Sequence, residues 1–164
     1  MILLKNILVA TDFGDASETA LNYGRDLART YGSTLHVLHA VDNAVARFAA
    51  EDTTAFLADL QTKVEKGAAE RVRGLATDED RALLHVQAVV VRSLAPAESI
   101  VQYAKEHGID LIVMGTRGSR ALAHLLMGSV AERVVRTAPC PVLTVRHPER
   151  EFLVPDALVA SAKA

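Results

Sequence analysis

The 164-residue chain carries 18 Lys and Arg against 20 Asp and Glu, a formal net charge of −2 with a pI near 6.3, and only 4% aromatic residues. Nucleic-acid binders show a basic excess and single-strand binders add stacking aromatics, so nucleic acid is not an expected partner. No apolar run approaches the roughly 20 residues of a membrane span, Met1-Ile-Leu-Leu-Lys5 lacks the basic start of a signal peptide, and a single cysteine excludes an internal disulfide; the expectation is one soluble, cytosolic domain without membrane insertion.

Lys5-Asn-Ile-Leu-Val-Ala10 reads as a buried first strand, and Thr11-Asp12-Phe13-Gly14 as the loop leaving its carboxyl end. Asp15 with Glu18, or else Ser17, marks a helix start, and Ala20, Leu21, Gly24, Leu27, Ala28 and Tyr31 keep helical spacing until Gly32 ends it. Leu35 to Val41 is a second strand, in which His36 and His39 point to opposite faces and so cannot share a metal. Residues 43–52 are either a loop or a short extra turn. From Thr53 or Thr54 a longer helix carries Phe56, Leu60, Val64, Ala68, Val72 and Leu75 as one stripe expected to face a core, closed by Gly74 and Thr77-Asp-Glu-Asp80.

Leu83 to Val91 supplies a third strand, Pro96 suits the first turn of a helix running to Gly108, and Asp110 to Met114 is a fourth strand. A loop follows, then a helix from Ser129 to about Thr137 and a last strand from Pro141 to Arg146. Cys140, between Pro139 and Pro141, reads as a packing residue. Residues 147–164 form a C-terminal extension outside the domain of residues 1–146. Five strands alternating with four helices predict an α/β doubly wound sandwich, a parallel sheet with helices on both faces. Such a sheet binds ligands beyond the carboxyl ends of its strands, where loop 11–14, Val41 and the loop from residue 115 to residue 128 converge.

The loop from Met114 to Ser129 is the chemically informative stretch. A strand, a glycine-bearing loop and a helix start make an anion site, because the helix presents unpaired N–H groups and the positive end of its dipole. Gly115 and Gly118 let a phosphate approach the backbone, Arg117 and Arg120 can add charge-assisted hydrogen bonds, and Ser129 with Glu132 reads as a capping box. The spacing is neither that of a Walker A loop nor the Gly-x-Gly-x-x-Gly of a dinucleotide fold.

Gly115-x-x-Gly118, nine residues, then Gly128-Ser129 resembles the nucleotide-binding pattern of the universal stress protein (UspA-like) family. Asp110-Leu-Ile-Val-Met-Gly115, the helix after Gly128, and Ala138-Pro-Cys-Pro-Val-Leu-Thr-Val-Arg146 resemble that family too, so the likeness spans residues 3–146. It implies a five-stranded parallel sheet of order 3-2-1-4-5 and ATP as ligand, with Mg2+ as a possible companion held through Asp12. Carried over, Ala10, Thr11 and Asp12 would line the ribose and phosphate side, and Val41 would meet adenine through its backbone. Met114 and Gly115 would lie beside the ribose, with Arg117, Gly118, Gly128, Ser129 and Val130 around the phosphates. Val142, Leu143, Thr144 and Val145 form an edge strand, which in that family pairs with its copy to make a homodimer. The chain departs from the pattern at Ala10, where many members have proline, and at Arg92-Ser-Leu-Ala-Pro96, which replaces Gly-x-Pro. The reading is an ATP-binding stress or regulatory protein. A slow ATP hydrolase or self-phosphorylating enzyme, and a dimeric adaptor without nucleotide, are the alternatives.

Overall fold

The computed structural model describes residues 2–48, 54–118 and 127–148. Five strands, β1 (Asn6–Ala10), β2 (Thr34–Asp42), β3 (Val86–Ser93), β4 (Leu111–Gly115) and β5 (Val142–Val145), form one sheet of order β3-β2-β1-β4-β5. Every neighbouring pair is parallel. The expected order and sandwich are therefore both present. The central strand β1 is bonded along both edges, Ile7 standing level with Leu35 on one side and Leu111 on the other.

Alternation along the strands divides the core. Leu8, Leu38, Ile112 and Met114 face α5 (Pro96–Glu106) and α6 (Ser129–Thr137), meeting Ile100, Tyr103, Ala104, Ala131 and Val134. Ile7, Val9, Leu35, Val37 and Val113 face α1 (Asp15–Tyr31) and α3 (Thr54–Leu75), meeting Ala20, Leu21, Ala28 and Val72. Because β1 is covered on both faces, Ile7, Leu8 and Val9 are fully buried. Gly32 ends α1 in the left-handed conformation, φ 65°, its N–H bonded to Ala28 O as a helix-terminating glycine should be. Cys140 packs against the α5/α6 side of the core, and burial pushes its thiol up from the ordinary range, in keeping with a packing role.

Two short helices enlarge the expected set. Residues 43–52 contribute α2 (Ala44–Phe48), and Thr77 to Asp80, read as the end of the long helix, instead opens α4 (Asp78–Leu83) through a capping box between Thr77 and Asp80. Asp80 is also fully buried, bonding Arg25 Nε at 2.7 Å and Arg29 at 3.0 Å. Burial pushes its carboxyl up, but the Thr77 N–H and the Arg25 guanidinium outweigh that and hold it below the ordinary carboxylate range. With α4 occupying Leu83, the third strand starts only at Val86.

The stripe on α3 does not face a core along its whole length. Val72 is buried, but Phe56, Leu60 and Val64 are 69%, 42% and 48% exposed. In that half of the helix Gln61 and Glu65, not Leu60 and Val64, turn toward the ends of β2 and β3, where they meet Asp42 O and Arg92; the helix also outruns its neighbour α1. Arg25 on α1 bonds Leu75 O, so the end of α3 lies level with Arg25. Ten residues back along each helix come Asp15 and Glu65; α3 therefore outruns α1 by eleven residues, about 16 Å at 1.5 Å per residue. Gln61 is the buried residue in that upper half, accepting the Ala44 N–H at 2.9 Å and donating to Asp42 O at 3.0 Å.

His36 and His39 do point to opposite faces: the Nδ1 of buried His36 lies 2.9 Å from the Tyr103 hydroxyl on the α5 side, whereas His39 meets Phe13 on the α1 side. Among the described residues the Nε2 of His36 has no partner. Burial first, then the neighbouring His107 and His85, push its imidazole down from 6.5 to about 4. Between those values the unfolded chain binds a proton that the folded chain refuses. Stability contributed by neutral His36 is thus complete above pH 6.5 and is lost as pH falls toward 4, by up to about 1.4 kcal/mol per pH unit. Urea unfolding at pH 7 and pH 5 is expected to show a steeper loss for the native chain than for His36→Gln, whose pH dependence should be flatter; equal slopes would contradict this.

Candidate functional site

Loop 11–14 leaves β1 at the point where the strand order reverses, between β2 and β4. The Thr11 hydroxyl accepts the Phe13 N–H at 3.0 Å and lies 3.1 Å from the Ser17 hydroxyl. The Gly14 N–H donates to Asp12 Oδ1 at 3.1 Å, an Asx turn that holds the carboxylate in place. Phe13 takes φ +63°, the one non-glycine residue with positive φ among those described. Neither expected cap of α1 operates. Gly14 occupies the cap position, and the Ser17 hydroxyl donates to Gly14 O at 2.8 Å. The Ser17 hydroxyl is instead engaged in the folding of this loop.

At the end of β4 the chain is tied down twice: Thr116 N donates to Val145 O at 2.8 Å and Gly128 N donates to Thr116 O at 2.7 Å. The second bond brings the two ends of the glycine loop together. A Cβ on Gly128 would stand 3.6 Å from Arg117 Cα and 3.7 Å from Gly118 N. A Cβ on Gly118 would stand 3.0 Å from Asp12 Oδ2. The structure thus gathers Asp12, Arg117, Gly118 and Gly128 into one cradle at the junction of β1 and β4. Residues 119–126, Arg120 included, lie outside the described residues.

The capping box expected at Ser129 is absent. Gly128 is the cap residue of α6, with extended backbone and no side-chain cap; Ser129 is the first helical residue, and Glu132 lies 3.5 Å from Arg136. The Gly128–Thr116 bond places the helix start one residue earlier than serine's preference for cap positions suggests. Gly128 has no side chain with which to cap them, and the first-turn N–H groups of Ser129, Val130 and Ala131 stand at the positive end of the helix, as an anion site requires. The cradle fits a phosphate in three respects: two glycines leave the backbone open, an uncapped helix end faces it, and the buried Thr116 hydroxyl has no partner among the described residues.

The remaining expected residues sit around this cradle at different distances. Ala10 pairs in register with Leu38 and Met114, Thr11 N bonds Leu38 O, and all three side chains of Ala10, Thr11 and Met114 are buried beneath the rim. Val41 lies three residues beyond Leu38 on β2, on the order of 10 Å further along the strand, and no described contact joins it to Asp12. Gly115 has a packing role: its Cβ would meet Ala16 C and Cβ at 2.9 Å, so the end of β4 passes against the first turn of α1. Arg117 donates to His147 O at 3.3 Å. Val142, Leu143 and Thr144 are half-buried and Val145 is buried on the outermost strand. The non-family loop after β3 is closed by Ser93, whose hydroxyl accepts the Ala95 N–H at 2.9 Å and meets Ser99 at 2.8 Å.

Sequence reasoning missed the groups beneath loop 11–14. His39 Nδ1 lies 2.8 Å from Thr11 O, its ring is 4.3 Å from the Phe13 ring, and the Arg71 guanidinium is 4.0 Å from that ring's centre. No local signal links residues 13, 39 and 71, which come together only through the crossovers. Among the described residues no group of three or more His, Cys, Asp or Glu could hold a metal, and no helix is long and apolar enough to cross a membrane.

The model of the universal stress protein family matches residues 4–146. The universal stress protein MJ0531 of Methanocaldococcus jannaschii is 33% identical over 150 residues, covering 91% of this chain and 86% of its own. The solved structure of protein MJ0577, from the same organism, superposes with a TM-score of 0.77 at 28% identity, covering 92% of this chain and 99% of that one. A universal stress protein from Archaeoglobus fulgidus in complex with dAMP shares the fold at a TM-score of 0.57 and 23% identity, over 88% of this chain and 98% of that one.

The two glycines of β4 and its loop should separate in their effects. Gly115→Ala forces a Cβ into the backbone of α1 and is expected to cost about 1–3 kcal/mol in denaturant unfolding without any ligand. Gly118→Ala, at an exposed position, should stay within about 0.5 kcal/mol of the native chain. Equal losses would overturn the assignment of Gly115 to packing and Gly118 to the cradle.

Proposed function

The chain belongs to the universal stress protein family, and from that we propose that it binds ATP at the carboxyl rim of its sheet and acts as a homodimeric stress or regulatory protein. The observation that carries the reading is the approach of the Asp12 carboxylate to Gly118 beside the uncapped start of α6. Triphosphate oxygens meet the N–H groups of Gly118, Gly128, Ser129 and Val130 in this reading, with Arg117 alongside. Asp12 takes the ribose or a phosphate-bound Mg2+, and Ala10, Thr11, Met114 and Gly115 line the ribose side. The backbone of Val41 meets adenine in this reading; Val41 stands on the order of 10 Å beyond Leu38 along β2, which leaves room for a ligand with a base at one end and phosphates at the other. The A. fulgidus protein that holds dAMP supports an adenine nucleotide on this fold. Bound ATP supplies concentrated negative charge, which makes occupancy a signal the protein can report to a partner.

Residues 1–146 constitute the nucleotide-binding domain in this proposal, and residues 147–164 an extension to it. The edge of β5, Val142 to Val145, pairs with its copy, since an uncovered apolar edge strand favours association. A cytosolic protein without a nucleic-acid partner fits the charge and composition.

Equilibrium dialysis of the purified protein is expected to give saturable ATP binding, with Gly118→Val at least about tenfold weaker, since a side chain there displaces Asp12 and blocks the phosphate. No binding at millimolar ATP, or an unaltered affinity in Gly118→Val, would overturn the proposal. Sedimentation at micromolar concentration should show a dimer; a monomer would remove the β5 interface from it.

A further inference from the structure

We propose that Phe13, His39 and Arg71 form a clamp that positions Asp12 for ligand binding, making the long helix α3 a contributor to a site otherwise built from β1, β4 and α6. The inference rests on the nucleotide-binding reading given above and adds residues that no motif identifies.

Phe13, a bulky residue at φ +63°, is held in a sparsely populated conformation, and such a residue persists only where its surroundings over-determine it. Here they do. The Phe13 N–H is taken by the Thr11 hydroxyl at 3.0 Å. The Thr11 carbonyl is in turn held by His39 Nδ1 at 2.8 Å, which makes that nitrogen the N–H donor. The phenyl ring has the His39 imidazole 4.3 Å from its centre and the Arg71 guanidinium 4.0 Å from it. Loop 11–14 is thereby gripped from β2 by one residue and from α3 by another.

The turn at Phe13 has one consequence for the cradle. By reversing the chain it brings the Gly14 N–H back onto Asp12 Oδ1 at 3.1 Å, which orients the carboxylate so that Oδ2 is the atom a Gly118 Cβ would meet at 3.0 Å. Relaxing Phe13 into an ordinary φ would undo the Asx turn and with it the Gly14 N–H's hold on the carboxylate. Arg71 touches neither the glycine loop nor Asp12 in the contacts described; it acts through the ring. A guanidinium over an aromatic face is a modest interaction at an exposed position, enough to bias a loop without being needed for folding. Arg71 itself is exposed on α3, outside the buried face that carries Val72.

The test is a double-mutant cycle read by ATP affinity, with and without Mg2+, on the full chain. Arg71→Ala is expected to weaken ATP binding about two- to fivefold with the thermal midpoint of the ligand-free protein little changed, and Arg71→Lys, which keeps a cation over the ring, to restore most of it. Phe13→Tyr should bind as the native chain does, and Phe13→Ala more weakly than Arg71→Ala. In an Asp12→Asn background, Arg71→Ala should have little further effect, because its influence passes through the Asp12 carboxylate. If Arg71→Ala leaves affinity unchanged, or weakens it equally in both backgrounds, the clamp is overturned while ATP binding stands. If the native chain binds no ATP, the nucleotide reading and the clamp fall together.

Discussion

The double pairing of β1 is the constraint on which the rest depends. Its five residues pair with β2 along one edge and four of them, Ile7 to Ala10, with β4 along the other, and the side chains of Ile7, Leu8 and Val9 are closed off on both faces. The chain leaving this strand has no freedom until Thr11, so loop 11–14 emerges at one defined point between the carboxyl ends of β2 and β4. Helix α1 is then seated by two close approaches. A Cβ at Gly24 would stand 2.3 Å from a Val9 methyl, and one at Gly115 would strike Ala16. Glycine at both positions lets the helix lie close enough to the sheet for Asp12 to come up against Gly118.

The buried Asp80 cluster and the glycine cradle occupy opposite ends of this sheet. At the amino ends of the strands, Asp80 is fully buried between Arg25 and Arg29 and also closes the Thr77 capping box, locking α1, α3 and α4 together. A buried carboxylate survives there because each oxygen has a charged partner and the turn adds backbone donors. At the carboxyl ends the helix α6 starts without a side-chain cap and Phe13 holds an unfavourable φ. Local costs of this kind are expected where a structure departs from its own local preferences for another purpose, and this is the end at which the proposed site lies. The extension of α3 beyond α1 belongs to the same end, where Phe56, Leu60 and Val64 stand exposed above the sheet.

Much of this was legible from residue order. Continuous apolar runs marked strands buried on both faces, and Gly115, Gly118 and Gly128 marked the loop that the structure draws together with Asp12. The misreadings share a cause. Ser129 has the right chemistry for a cap, yet the cap position belongs to Gly128 because its N–H is needed by Thr116 O. Phe56, Leu60 and Val64 have the right period for a core face, yet α1 does not reach that level and the helix turns Gln61 and Glu65 to the ends of β2 and β3 instead. Thr77 to Asp80 contains a genuine cap signature, but for a helix that only the Arg25 and Arg29 partners make worth forming.

By itself, the sequence determined the alternation of strands and helices, the parallel sheet that follows from it, and the glycine spacing that resembles the family to which the chain belongs. These are local or periodic properties, carried by hydrophobic pattern and backbone permissiveness, and they survive without knowledge of any partner. Only the tertiary structure decided which residue caps α6, how far α3 outruns its neighbours, and how Phe13 is held by His39 and Arg71. Each of those depends on a contact between residues distant in the chain, and such contacts are set by crossovers and helix lengths that no single stretch encodes.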